Sequence, residues 1–135
     1  VHSDPAGELS KRERMMLDLA TGRTTGVLFS DLRCPIAVTD VASALIELAL
    51  GEAGGGTTAT ASFAGVLNLA GPDAISFYDL AVLVAHRHGL DPDRLPAAQQ
   101  GGPGRPGDLR LDCTLAASLL RTRLRGIGEL VGQPA

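Results

Sequence analysis

The run Gly65-Val66-Leu67-Asn68-Leu69-Ala70 constrains the fold more than any other stretch of the chain. It is apolar, bounded by glycines and too short for a helix, so it reads as a buried strand. Gly71-Pro72-Asp73 then turns the chain. Ser76-Phe77-Tyr78-Asp79 follows as a capping box, opening a helix with Leu80, Leu83 and Val84 on one face and Gly89 as its stop. A strand handed through a tight turn to an amphipathic helix is the repeating unit of an α/β fold.

The flanking sequence extends the same alternation. Ser10-Lys11-Arg12-Glu13 is another capping box, and Met15, Met16, Leu19 and Ala20 form the apolar stripe of a helix over 10–21, closed by Gly22. Short apolar runs at 26–29 and 35–38 read as strands joined by the polar turn Ser30-Asp31-Leu32-Arg33. Thr39-Asp40 supplies N-cap residues to a helix carrying Val41, Ala44, Leu45 and Leu48, and that cap role accounts for Asp40 without a catalytic one. Leu109, Leu111 and Cys113 alternate with Arg110 and Asp112 as in a strand, followed by a helix at 114–120 and a helical turn at 127–131. Segments 51–62 and 96–106, rich in Gly, Thr, Pro and Gln, read as flexible loops. Gly54-Gly55-Gly56 follows a helix rather than opening one, which argues against a phosphate cradle there. The expected order is helix, two strands, helix, strand, helix, strand, helix, in a single α/β domain spanning 1–135.

Composition removes several function classes. The formal net charge is −3, whereas a nucleic-acid or membrane surface calls for a basic stripe. Lysine occurs once, at Lys11, so positive charge is almost wholly arginine, the residue suited to discrete oxyanion contacts. Cys34 and Cys113 have neither CxxC spacing nor a histidine cluster, and are expected to be reduced structural thiols. His86 and His88 stand two apart on a helix, on different faces, and cannot chelate one metal. No stretch has the length of a spanning helix and the start has no signal-peptide layout, so a cytoplasmic location is the expectation.

Three segments, PIAVTDVASALIEL, GVLNLAGPDAISFYDLAVLVAHRHGLDP and RPGDLRLDCTLAASLL, together resemble the carboxy-terminal substrate-binding part of extended short-chain dehydrogenase/reductases. The pattern is most similar to dTDP-4-dehydrorhamnose reductases and the NAD-dependent epimerase/dehydratase family, over about residues 26–131. The resemblance implies the small substrate-binding lobe of a Rossmann-type protein, with NAD(P) carried on a Rossmann lobe outside this chain. The family's Gly-x-x-Gly-x-x-Gly cofactor turn and its Tyr-x-x-x-Lys acid–base pair are accordingly expected to be missing. Tyr78 has Val82 four residues on, and is expected to be structural. The chain is thus expected to be a piece or subunit of something larger, with no catalytic residue of its own.

In the epimerases of that family, an arginine in an Arg-x-Gly-Asp element binds the substrate diphosphate. Arg105-Pro106-Gly107-Asp108 matches it, and Arg33 matches a second arginine ahead of the Asp40 helix. The resemblance therefore implies a nucleoside-diphosphate sugar gripped by Arg105 and Arg33, with Asp108 orienting one guanidinium. Two forks on separate loops suit a group with several acceptor oxygens. Asn68, an amide inside an apolar strand, is the remaining candidate, because a buried amide must find partners, either a sugar hydroxyl or, in the structural role that leads, a loop carbonyl. The alternative function is a non-catalytic regulatory or binding module of the same superfamily. Either way, the apolar stripes of the first two helices call for a covering partner, the missing lobe or a second copy.

Overall fold

The structure, a computed structural model, describes residues 9–51 and 55–131. Helix α1, Lys11–Ala20, starts as its capping box requires: Ser10 Oγ accepts the Glu13 N–H at 3.2 Å, and the Glu13 carboxylate accepts the Ser10 N–H at 3.1 Å. Helix α4, Phe77–Arg87, is capped by half such a box. Ser76 Oγ accepts the Asp79 N–H at 3.0 Å, but the shorter Asp79 side chain takes the Ser76 hydroxyl proton at 2.6 Å instead of reaching back to the main chain. Gly22 and Gly89 close the two helices at φ 71° and 67°, a left-handed turn that glycine makes without steric cost.

These two helices form the main core. Met16, Leu19 and Ala20 of α1 meet Leu80, Ala81, Val84 and Ala85 of α4, and the small alanines let the helix backbones approach closely. Leu28 of strand β1, Leu28–Phe29, packs beneath them, with Ile127, Leu130 and Val131 of the last helix closing one side. Each such aliphatic side chain taken from water contributes about 1.5–3 kcal/mol.

The architecture is broadly α/β but has two minimal sheets rather than one continuous one. Strand β1 pairs in parallel with Ala98–Gln99. Strand β2, Leu32–Arg33, pairs antiparallel with β3, Ile75–Ser76, and Ala98–Gln99 is therefore β4. Several sequence expectations change here. Residues 30–33, read as a turn, contain β2, while β4 lies inside the loop expected at 96–106. Residues 35–37 make no ladder, and helix α2, Val38–Leu50, begins at Ala37, which offers no side-chain cap. Thr39 and Asp40 thus sit in the first turn rather than before it. The expected loop at 51–62 contains a short helix α3, Thr58–Ala61, capped reciprocally by Thr57 and Thr60, while residues 52–54, including Gly54, lie outside the described residues.

The strands expected at 65–70 and 109–113 belong to no ladder among the described residues; 109–113 is preceded only by an isolated bridge between Leu32 and Asp108. Val66 is 90% exposed, and Leu109 and Leu111 are about half exposed, at 47% and 49%. Besides the buried Ala70, two leucines of the first run turn inward, Leu67 and Leu69. They join Ala44 and Leu48 of α2 with Ala116 of α5, Thr114–Leu119, and Leu120 just beyond it, in a second, smaller core. Gly71 is required where that run ends, because a Cβ there would overlap the Pro35 carbonyl oxygen.

Two carboxylates fasten α2 to the segment before α6, Ile127–Val131. Asp40 accepts from the Arg125 N–H at 2.9 Å and from its guanidinium at 2.6 and 3.0 Å, and Thr39 Oγ1 accepts a further guanidinium hydrogen at 3.0 Å. The side-chain bonds from Arg125 hold the Asp40 carboxyl below its usual range against the opposing effect of burial. Glu47, buried as well, accepts the N–H of Arg121 at 2.7 Å and the N–H and hydroxyl of Thr122 at 2.8 and 2.7 Å. Burial pushes its pKa up, but these donors outweigh it and the carboxyl ionises below its ordinary range.

Candidate anion-binding site

The parallel pairing of β1 and β4 sends two loops off the same end of the ladder. From β1 the chain continues through Ser30 and Asp31, and from β4 through Gln100 to Gly107. The loops are stitched by main-chain bonds from Ser30 N–H to Gln99 at 2.9 Å, Leu32 N–H to Gly107 at 2.8 Å and Leu109 N–H to Leu32 at 3.1 Å. Ligands of parallel α/β sheets sit at the carboxyl ends of the strands, where such loops gather polar groups.

Asp31 is the centre of this corner. Its side chain is buried, its Oδ2 accepts the Nε hydrogen of Arg105, and its Oδ1 accepts the Gly101 N–H at 3.3 Å. Arg33 Nη2 stands 3.6 Å from the same carboxylate. The Arg105 hydrogen bond lowers the Asp31 pKa most, opposed by burial and reinforced by the charges of Arg105 and Arg33 and the Gly101 N–H. Arg105 lies over the Phe29 ring, 4.0 Å from guanidinium carbon to ring centroid. Its stem crosses Gly101, where a Cβ would strike the Arg105 side chain, so this glycine makes room for the arginine. A turn from Arg105 N–H to the Gly102 carbonyl at 3.1 Å sets the backbone.

Arg33 and Arg105, on β2 and on the loop after β4, are thus brought together. Arg33 spends Nη1 on the Leu32 carbonyl at 2.6 Å and Nη2 on the Pro106 carbonyl at 3.3 Å. The Nη groups of Arg105 make no hydrogen bond among the described residues, and its side chain is 38% exposed. Two guanidiniums against one carboxylate leave a net positive charge at the mouth of a crevice of about 270 Å³ lined by Ser30, Asp31, Gln100, Gly101, Arg105 and Gly107. Arg33 also borders a mainly apolar groove of about 520 Å³ walled by Cys34, Ile36, Ile75, Phe77 and Leu111. Arg12 stands over the Phe77 ring, 4.8 Å from its centroid, at that groove's edge.

The other two candidates lie elsewhere. Asp108 forms a two-oxygen pair with Arg110, at 2.9 and 3.0 Å from Nε and 2.6 Å from Nη2, so the carboxylate that orients Arg105 is Asp31 rather than Asp108. Asn68 is exposed, not buried, and donates to the Asp112 carbonyl at 3.1 Å, where a loop contact satisfies its amide. Asp31 and Phe29 escaped the sequence reading because the hydrogen-bond donors to Asp31, Gly101 and Arg105, come from distant positions. The visible signal was one acid flanked by Phe29 and Arg33 in an otherwise apolar stretch.

Gly101-Gly102-Pro103-Gly104-Arg105-Pro106-Gly107 does spell Gly-x-x-Gly-x-x-Gly, contrary to the expectation that the pattern is missing. It follows a strand, but no helix opens from it: the next helix, α5, starts only at Thr114. Pro103 and Pro106 also lack the N–H groups that a dinucleotide turn aims at a pyrophosphate. These residues do not fit a nicotinamide dinucleotide. Tyr78 is half-buried against the main core, and Cys34 and Cys113 are free and half-buried. Among the described residues no group of three His, Cys, Asp or Glu side chains could hold a metal, and no helix is long and apolar enough to cross a membrane. The chain matches no protein-family model, no curated protein and no solved structure.

Proposed function

We propose that this chain is the substrate-binding part of an NAD(P)-dependent sugar-nucleotide reductase or epimerase, and that Arg105 and Arg33 hold the diphosphate of a nucleoside-diphosphate sugar. The observation that carries the reading is the convergence of these two arginines on Asp31, with Arg105 lining an open crevice and its Nη groups making no hydrogen bond among the described residues. A guanidinium already fixed by a carboxylate and an aromatic ring loses little freedom when it meets an anion. The chain contributes binding and orientation alone. Proton and hydride chemistry belong to a lobe outside it, and in the regulatory alternative the same site holds the same ligand with no such lobe.

Calorimetric titration of the chain with a nucleoside-diphosphate sugar, the matching nucleoside and the free sugar tests the reading. The diphosphate compound is expected to bind more tightly than either. Arg105→Ala is expected to weaken it by about ten- to a hundredfold, the worth of a charge-assisted hydrogen bond of about 1.5–3 kcal/mol. Arg105→Lys restores only part, since an ammonium lacks the planar fork. Equal affinity of Arg105→Ala and the parent chain for the diphosphate compound refutes the assignment.

A further inference from the structure

Helix α2 has its charges on the wrong side for a surface helix. Its two charged residues, Asp40 and Glu47, both face inward, where Arg125 and the 121–122 main chain satisfy them. The outward side carries Val38, Ala42, Leu45, Ile46, Ala49 and Leu50, with Thr39 and Ser43 beside them and no charge at all. The four large residues of that set are 68%, 53%, 55% and 58% exposed. At 3.6 residues per turn the apolar stripe covers roughly 140° of the helix, more than a core-facing stripe needs. A helix apolar outward and anchored inward is built for burial on both sides.

We propose that α2 is a self-association surface, packing antiparallel against α2 of a second copy across a two-fold axis. The spacing of Val38, Ala42, Leu45 and Ala49, alternating four and three, is that of a helix–helix seam. An antiparallel two-fold centred at the level of Ala44 sets Leu50 against Val38, and Ile46 against Ala42, of the second copy, so large residues meet smaller ones. Charge selects the occupant. The chain is negative overall, and two copies meeting through most of its surface would repel, but the outward residues of α2 carry no charge, and the Arg125 guanidinium at its N-terminal edge is paired with Asp40. It also lacks the lysine and arginine rim with which an amphipathic helix grips a lipid surface. The hydrogen bonds of Asp40 and Glu47 hold α2 rigidly, so the stripe is presented without further ordering.

A helix of this length, about 20 Å, offers a few hundred square ångströms, less than the roughly 800 Å² per partner of a standard interface. The dimer is therefore weak, with a dissociation constant in the micromolar range or above. This inference is independent of the arginine site. Sedimentation equilibrium from low micromolar to about 1 mM is expected to show the weight-average mass rising from 13.9 kDa toward twice that value. Ile46→Lys, at an exposed position that leaves the fold intact by circular dichroism, is expected to weaken association at least tenfold, roughly the effect of losing one buried aliphatic contact. Val66→Lys, more exposed and off α2, is expected to leave it unchanged. A monomer at every concentration overturns the proposal. So does a dimer that Ile46→Lys leaves as tight as before.

Discussion

Asp31 decides how the anion site is built. Its carboxylate takes up part of the positive charge of Arg33 and Arg105, which would by itself weaken anion binding, and it also fixes where the Arg105 fork points. An exposed charge is heavily screened, whereas a displaced fork loses directional hydrogen bonds outright, so positioning outweighs neutralisation. Asp31→Asn is therefore expected to weaken binding of a nucleoside-diphosphate sugar in calorimetry, despite raising the net positive charge of the corner. Tighter binding by the variant would make Asp31 a mere counter-ion. Phe29 belongs to the same arrangement, since its ring packs against the guanidinium.

Among the elements, α2 depends most on ionised groups. Asp40 and Glu47 both have folded pKa values below their ordinary ones, so each stabilises the fold above its unfolded pKa and ceases to do so as pH falls through the folded value. Thermal stability is expected to be nearly flat above about pH 5 and to fall progressively below about pH 4, where unfolded carboxylates first bind protons in excess. Asp40→Asn, followed by thermal melts across that range, should be less stable at pH 7 by about 1–2 kcal/mol and less sensitive to acid. The lower end of the charged hydrogen-bond range applies because Arg125 is 38% exposed and screened by solvent. An unchanged acid profile would mean that other carboxylates govern it. The helices α1 and α4 owe nothing comparable to charge, because their stability rests on apolar packing.

For the molecule as a whole, two small cores and two minimal sheets among the described residues support a corner where polar loops meet, and an outward helix face that no described residue covers. The glycine run at 101–107 has the spelling of a cofactor turn without its strand-to-helix setting. The chain by itself is therefore expected to bind neither NADH nor NADPH. Saturable binding of either in calorimetry would mean that this loop works without the helix dipole that such turns use.

The sequence by itself determined the helices best. Ser10 with Glu13, Ser76 with Asp79, and the closing Gly22 and Gly89 act within one or two turns, and a helix satisfies its own main chain, so its signals are local. The reading failed at the start of α2, where Asp40 has a long-range partner in Arg125 and does not cap, and at α3, which lies inside an expected loop. Strands were legible only as extended chain. Residues 65–70 and 109–113 read as strands yet join no ladder among the described residues, and Leu32–Arg33, which resembles a turn, is paired, because a strand exists only where a second segment meets it. Arg33 and Arg105 could be singled out through the resemblance of their surroundings to a known family. That they meet, and that Asp31 rather than Asp108 joins them, was decided by the tertiary structure, since the contacts linking Asp31 to Gly101 and Arg105 span 70 and 74 residues of chain.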